Sequence, residues 1–125
     1  MTSLTSIAFG ESLIDEYPDR RVVAGAPLHV AIHLACAGWH SMLWSRVGAD
    51  QDGEEIRSTL LDYGVDSTLL QTDGEAATGT VGIEMPERGE HSFTIRAPSA
   101  WDHIEPTESL PGHDVFYYGT LAARH

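Results

Sequence analysis

The chain has 125 residues, 42% of them hydrophobic and 21% charged, which is the make-up of one soluble globular domain. Its net charge is −12, with seven arginines and no lysine, and this argues against nucleic acid and anionic membrane surfaces, since both need clustered cations. The single cysteine, Cys36, excludes an intrachain disulfide and agrees with a reducing, cytoplasmic setting, while Met1 to Phe9 lacks the basic start of a signal peptide and no stretch approaches the ~18 apolar residues of a membrane span.

Ser6 to Phe9 is a short apolar run closed by Gly10, the pattern of a buried strand. Tyr17 to Ala24 is polar and then β-branched at Val22 and Val23, and reads as a second strand. From Pro27 to Ala37 the pattern turns helical. Pro27 suits a first turn, Gly38 suits the stop, and Leu28, Ile32 and Ala35 fall on one stripe. Met42 to Val47 is the next strand. Asp52 to Tyr63 is an amphipathic helix, with Ile56, Leu60 and Tyr63 as its stripe and Gly64 just past its end. Leu69 to Gln71 is a short strand. Thr78 to Met85 and His91 to Ile95 are two strands joined by a turn at Pro86 to Gly89, and Asp114 to Tyr118 is a last strand. The alternation of strand and helix predicts an α/β fold with a parallel sheet. The hairpin breaks that rhythm, so it is expected outside the main sheet, paired with Tyr17 to Ala24 as a flap.

Three groups of residues stand out on their chemistry. Asp15 reads equally as a turn cap or as a carboxylate at the ligand crevice of a doubly wound sheet. His29 and His33 are four apart and share a helix face; that spacing suits a metal, but no HExxH string and no third ligand accompany it, so no metal is expected. Gly48, Asp50 and Gly53 form a tight loop into an acidic helix. Asp50 and Asp52 are read as an N-terminal cap and first-turn acids favoured by the helix dipole, in preference to a divalent-ion pair.

Several strings resemble, in order, those of PfkB-type (ribokinase-like) carbohydrate kinases, the fructokinase-like branch most of all. They are Gly10-Glu11-Ser12-Leu13-Ile14-Asp15, Ala24-Gly25-Ala26-Pro27-Leu28-His29-Val30-Ala31, Arg46-Val47-Gly48-Ala49-Asp50-Gln51-Asp52-Gly53 and Gly64-Val65-Asp66-Ser67. Thr78-Gly79-Thr80, Ala100-Trp101-Asp102 and Tyr118 to Arg124 follow in family order, and the spacing of Gly25, Gly38 and Gly48 fits the family's first signature.

The resemblance implies a ribokinase-like partial parallel sheet flanked by helices, with a small β lid from strands about 17–24 and 78–96. Residues 1–125 are then the N-terminal sugar-binding portion, and the C-terminal portion, with the Gly-Ala-Gly-Asp motif that supplies the catalytic base, is absent from this chain. The implied reaction is ATP-dependent phosphorylation of a ketohexose such as fructose or a related sugar, with ATP and Mg2+ used by the full-length enzyme and neither expected on this chain alone, which is expected to be inactive by itself. Asp15, Gly25 and His29 are implied sugar contacts, with Phe93, Ile95 and Arg96 facing the sugar from the lid. Where the family has Asn this chain has His29, and histidine is the larger side chain and one that can change charge near neutral pH. Trp101 either closes one side of the pocket or fills the core. A homodimer through lid or edge strands is implied. Two further readings fit the same strings: a non-catalytic sugar-binding or regulatory module, and a nucleoside kinase of the same family.

Overall fold

The structure is a computed structural model and describes residues 4–84, 89–96 and 98–121. Two four-stranded sheets share the chain. The first is formed by β1 (Thr5–Phe9), β4 (His40–Gly48), β5 (Leu70–Asp73) and β8 (Val115–Tyr118). Its order is β5-β4-β1-β8, and every pairing is parallel. The second is formed by β2 (Leu13–Glu16), β3 (Arg21–Ala24), β6 (Gly79–Glu84) and β7 (Ser92–Ile95), in the order β3-β2-β6-β7. Here β2 and β6 run parallel, and β3 and β7 flank them antiparallel.

Helices α1 (Ala26–Cys36) and α2 (Gln51–Asp62) are the crossovers between parallel strands. Pro27 lies in the first turn of α1, where its missing N–H is no loss. Both helices lie on the sheet face that carries Ala8, Leu43 and Val47. Leu28 and Ala31 of α1 and Ile56 and Leu60 of α2 are fully buried there. Each such Leu or Ile contributes about 1.5–3 kcal/mol of burial. Ile14 of β2 enters the same cluster, so the second sheet is joined to the first through a common core. On the opposite face Phe9, Trp44 and Phe116 meet edge to face, with ring centres 4.8 and 6.5 Å apart.

The main expectations hold: an α/β fold, a parallel sheet with helices, and a hairpin outside it. Four details differ. The run Tyr17 to Ala24 is a strand only over Arg21–Ala24, because Tyr17 to Arg20 is the turn that joins β2 to β3, closed by the Tyr17 amide on the Arg20 carbonyl at 2.8 Å. The strand that pairs with the hairpin is β2, a four-residue element that carries two acids and shows no apolar alternation. Tyr63 is the C-cap of α2 and is half exposed, so it does not share the stripe of Ile56 and Leu60. A short 3-10 helix, Ala100–His103, follows β7. Residues 85–88 of the expected strand and turn, and 122–124 of the last string, lie outside the described residues.

Candidate functional site

In the first sheet β1 has β4 on one side and β8 on the other, so the chain reverses its direction of travel at the β1/β8 boundary. Ligand crevices in open α/β sheets form at such a boundary, beyond the carboxyl ends of the strands. Here those ends are Gly10 and Gly119. The Gly119 amide donates to the Phe9 carbonyl at 2.9 Å, and the Gly10 amide donates to the Trp44 carbonyl at 3.1 Å. The N-terminus of α1 comes to the same place, since a Cβ on Gly10 or on Gly119 would press on the ring of Pro27.

Gly25 caps α1 with φ of +121°, a backbone state that L side chains rarely adopt. A Cβ there would also meet the carbonyl of Glu11. Only glycine serves this position on both counts. The Gly25 carbonyl accepts the His29 amide at 2.9 Å, which closes the first turn of α1 and sets His29 on its exposed side. His29 and His33 line a groove of about 550 Å³ with Val22, Ile32, Glu55 and Tyr63.

Asp15 comes from the second sheet. Its register partners are Val22 on β3 and Val81 on β6, and Val81 pairs in turn with Ile95. Direct partners project from the same face, so Val22, Asp15, Val81 and Ile95 form one row. Ile83 and Phe93 pair beside it. The carboxylate thus sits half-buried between valines. Burial pushes its pKa above the usual 3.8, and the nearby His29 pulls in the opposite direction. Trp101 is buried with Leu13, Ala24, Val81 and Ile83, so it fills the core of this sheet.

Arg96 goes elsewhere. Its guanidinium meets Glu16 at 2.9 Å and lies over Gly82, and both belong to the face opposite Asp15. Glu16 also meets Arg21, whose guanidinium makes two 2.8 Å bonds to Asp52 on α2. The structure therefore brings Asp15, Phe93 and Ile95 to one face, sets Gly25 and His29 at the start of α1, and sets Arg96 behind the sheet. Reading the sequence missed Glu11 and Gly119 as parts of the crevice. The available signal was position alone, since Gly119 follows directly on β8 and Glu11 lies two residues past β1.

The loop of Gly48, Asp50 and Gly53 is structural. Asp50 caps α2 by accepting the Gly53 amide at 2.8 Å, and it also accepts the Thr78 amide and hydroxyl. Burial would raise its carboxyl, but the hydrogen bonds from Thr78 and Gly53 prevail and hold it below the usual range. Among the described residues no three His, Cys, Asp or Glu side chains are gathered as a metal set would be, and no helix is long and apolar enough to cross a membrane.

Residues 8–119 match the family described as pfkB family carbohydrate kinase. The chain is 36% identical over 107 residues to a fructokinase of Escherichia coli, an alignment covering 82% of this chain and 35% of that protein. The apo crystal structure of fructokinase from Vibrio cholerae superposes with a TM-score of 0.74 at 33% identity, over 81% of this chain and 37% of that one. The same enzyme with fructose, ADP and calcium ion bound superposes with a TM-score of 0.67 at 30% identity, over 79% and 34%. The chain spans about a third of the length of the curated relatives it matches.

Proposed function

The chain belongs to the pfkB family of carbohydrate kinases, and on that premise we propose that it is the sugar-binding portion of an ATP-dependent kinase acting on a ketohexose such as fructose. The observation that carries this reading is Asp15: a half-buried carboxylate in a row of valine and isoleucine, on the sheet that packs beside the start of α1. A carboxylate held among apolar groups discriminates strongly for partners that donate hydrogen bonds, which is what a sugar ring offers. Asp15 accepts from sugar hydroxyls, Gly25 lets the backbone come close to the ring, and His29 supplies one donor and one acceptor in its neutral form. The second sheet acts as a lid over the sugar, with Phe93 and Ile95 excluding water that would otherwise accept the phosphoryl group.

Phosphoryl transfer requires a base, an anion-stabilising helix N-terminus and a nucleotide site. In this reading ATP and Mg2+ serve the full-length enzyme, and the residues described in this chain supply the sugar side of the site. The exposed apolar face of Val22, Phe93 and Ile95 supports pairing of two chains through their lids.

Calorimetric titration with fructose, ribose, glucose and adenosine tests the reading. Fructose binding that disappears in Asp15→Asn is expected. Absence of heat with every sugar would sink it, and a response to adenosine alone would turn it toward a nucleoside. Reading the gene past codon 125 tests the catalytic half: a continuing frame with Gly-Ala-Gly-Asp is expected.

A further inference from the structure

Glu11 is a carboxylate in an unusual position. The residue is only 6% exposed, although it lies just two residues past the end of β1. Two other backbone segments meet it through a glycine, at Gly25 and at Gly119, while Gly10, which precedes it in the chain, packs on Pro27. A Cβ on Gly119, just past β8, would lie 2.9 Å from the Glu11 carboxylate oxygen Oε2 and 3.0 Å from the Pro27 ring. A Cβ on Gly10 would lie 2.8 Å from the same ring. A Cβ on Gly25 would press on the Glu11 carbonyl, with Ser12 Cα 3.2 Å away. No side chain fits between these segments, so bare backbone stacks directly on Glu11 and Pro27. Burying a carboxylate is unfavourable unless it is well partnered, and the start of α1 is a favourable place for negative charge.

From this convergence we infer that Glu11 is a positioning residue: its buried carboxylate fixes the Gly119 backbone beside Pro27, and its main chain seats Gly25, so that together they floor the crevice at the β1/β8 boundary. It does not touch the sugar. It sets the height of the α1 start, and with it Gly25 and His29, relative to the strand ends. This rests on the sugar-binding reading above and adds to it a residue outside the set implied by resemblance.

The test compares fructose affinity in the full chain, in Glu11→Gln and in Ile56→Val, at a temperature where circular dichroism shows all three folded. Glu11→Gln keeps the side chain's size and exchanges one acceptor oxygen for an NH2. Ile56→Val is a core change on α2, away from the crevice, and controls for lost stability. We expect fructose to bind Glu11→Gln about tenfold or more weakly, and Ile56→Val to match the parent chain. A Glu11 that serves stability alone would lower the melting temperature and leave affinity intact once the chain is folded. Glu11→Gln binding within about twofold of the parent would overturn the inference while leaving the proposed function standing. Absence of binding in the parent would overturn the proposed function, and the inference with it. If Glu11→Gln does not fold, Glu11→Asp takes its place with the same expectation, since it keeps the charge but withdraws it from Gly119.

Discussion

The hydroxyl of Thr78 holds Gly48 and Asp50 together: it accepts the Gly48 amide proton at 2.8 Å and donates to Asp50 Oδ1 at 2.6 Å. Thr78 is 4% exposed, and it joins the approach to β6 with the turn between β4 and α2. The first sheet and the second are thereby linked by one side chain. Thr78→Val keeps the shape and leaves a buried amide and a carboxylate short of a partner. We expect a loss of about 1–3 kcal/mol, seen as a lower urea midpoint at unchanged slope. An unmoved midpoint would show that the link carries no stability.

Asp15→Asn separates binding from stability. Burial holds the Asp15 carboxyl above its usual value, so its ionised form weighs against the folded chain at neutral pH, and this penalty eases as the pH falls. Replacing it with a neutral amide removes the penalty. The variant is expected to melt at the same temperature or higher while losing about tenfold or more in fructose affinity. Thermal melting and calorimetry on the same sample check both halves. A variant that melts lower and binds normally contradicts the prediction on each count.

Acid should act in the opposite sense elsewhere. The Asp73 carboxyl is held at about 2, against 3.8 ordinarily, by the amides of Ala76 and Glu75 and by Arg46. A lowered carboxyl stabilises the folded chain above its ordinary value, and that contribution is lost as the pH falls through the lowered one. Asp50 and Asp66 are lowered too, Asp66 chiefly by the Thr68 hydroxyl. Denaturant midpoints should therefore drop between about pH 4 and about pH 2, and more gently in Asp73→Asn. A parallel decline in both chains would remove Asp73 from the account.

The exposed apolar side of the second sheet is the surface on which the proposed pairing of two chains is tested. Phe93 is 63% exposed and Ile95 43%, on the face that carries Asp15. Sedimentation of the parent chain is expected to show a dimer, and Phe93→Ser with Ile95→Ser a shift to monomer. A parent chain that stays monomeric at high concentration rules out pairing by this route.

Much of this fold was legible because its signals are local. The periodicity of Ile56 and Leu60, the glycines after each helix and the apolar run before Gly10 all report on near neighbours in the chain. The elements that escaped depend on distant partners. Leu13–Glu16 becomes a strand because β3 and β6 supply ladders on both sides, and β6 is more than sixty residues away. The row of Val22, Asp15, Val81 and Ile95 exists only once that register is set. Arg96 shows the same limit. A one-residue step along a strand reverses the face, so the expectation that set Arg96 beside Phe93 and Ile95 facing the sugar differs from its place with Glu16 and Gly82 on the other side. Glu11 and Gly119 gave no periodic signal at all, since their meeting is a matter of how strand ends are brought together.

The last neighbour of β1 arrives late. β1 is an inner strand of the first sheet, yet its contact with β8 joins residues as far apart as Thr5 and Asp114, a separation of 109. During synthesis β1 and β4 can pair once about fifty residues have emerged. The second side of β1 then stays bare until residue 118 is made, and its unpaired amides and carbonyls are open to other nascent chains meanwhile. Closure over so long a loop is entropically slow. The ribosome's pace between β5 and β8 thus sets how long this strand remains adhesive, and slow codons there would lengthen that exposure without altering a single residue.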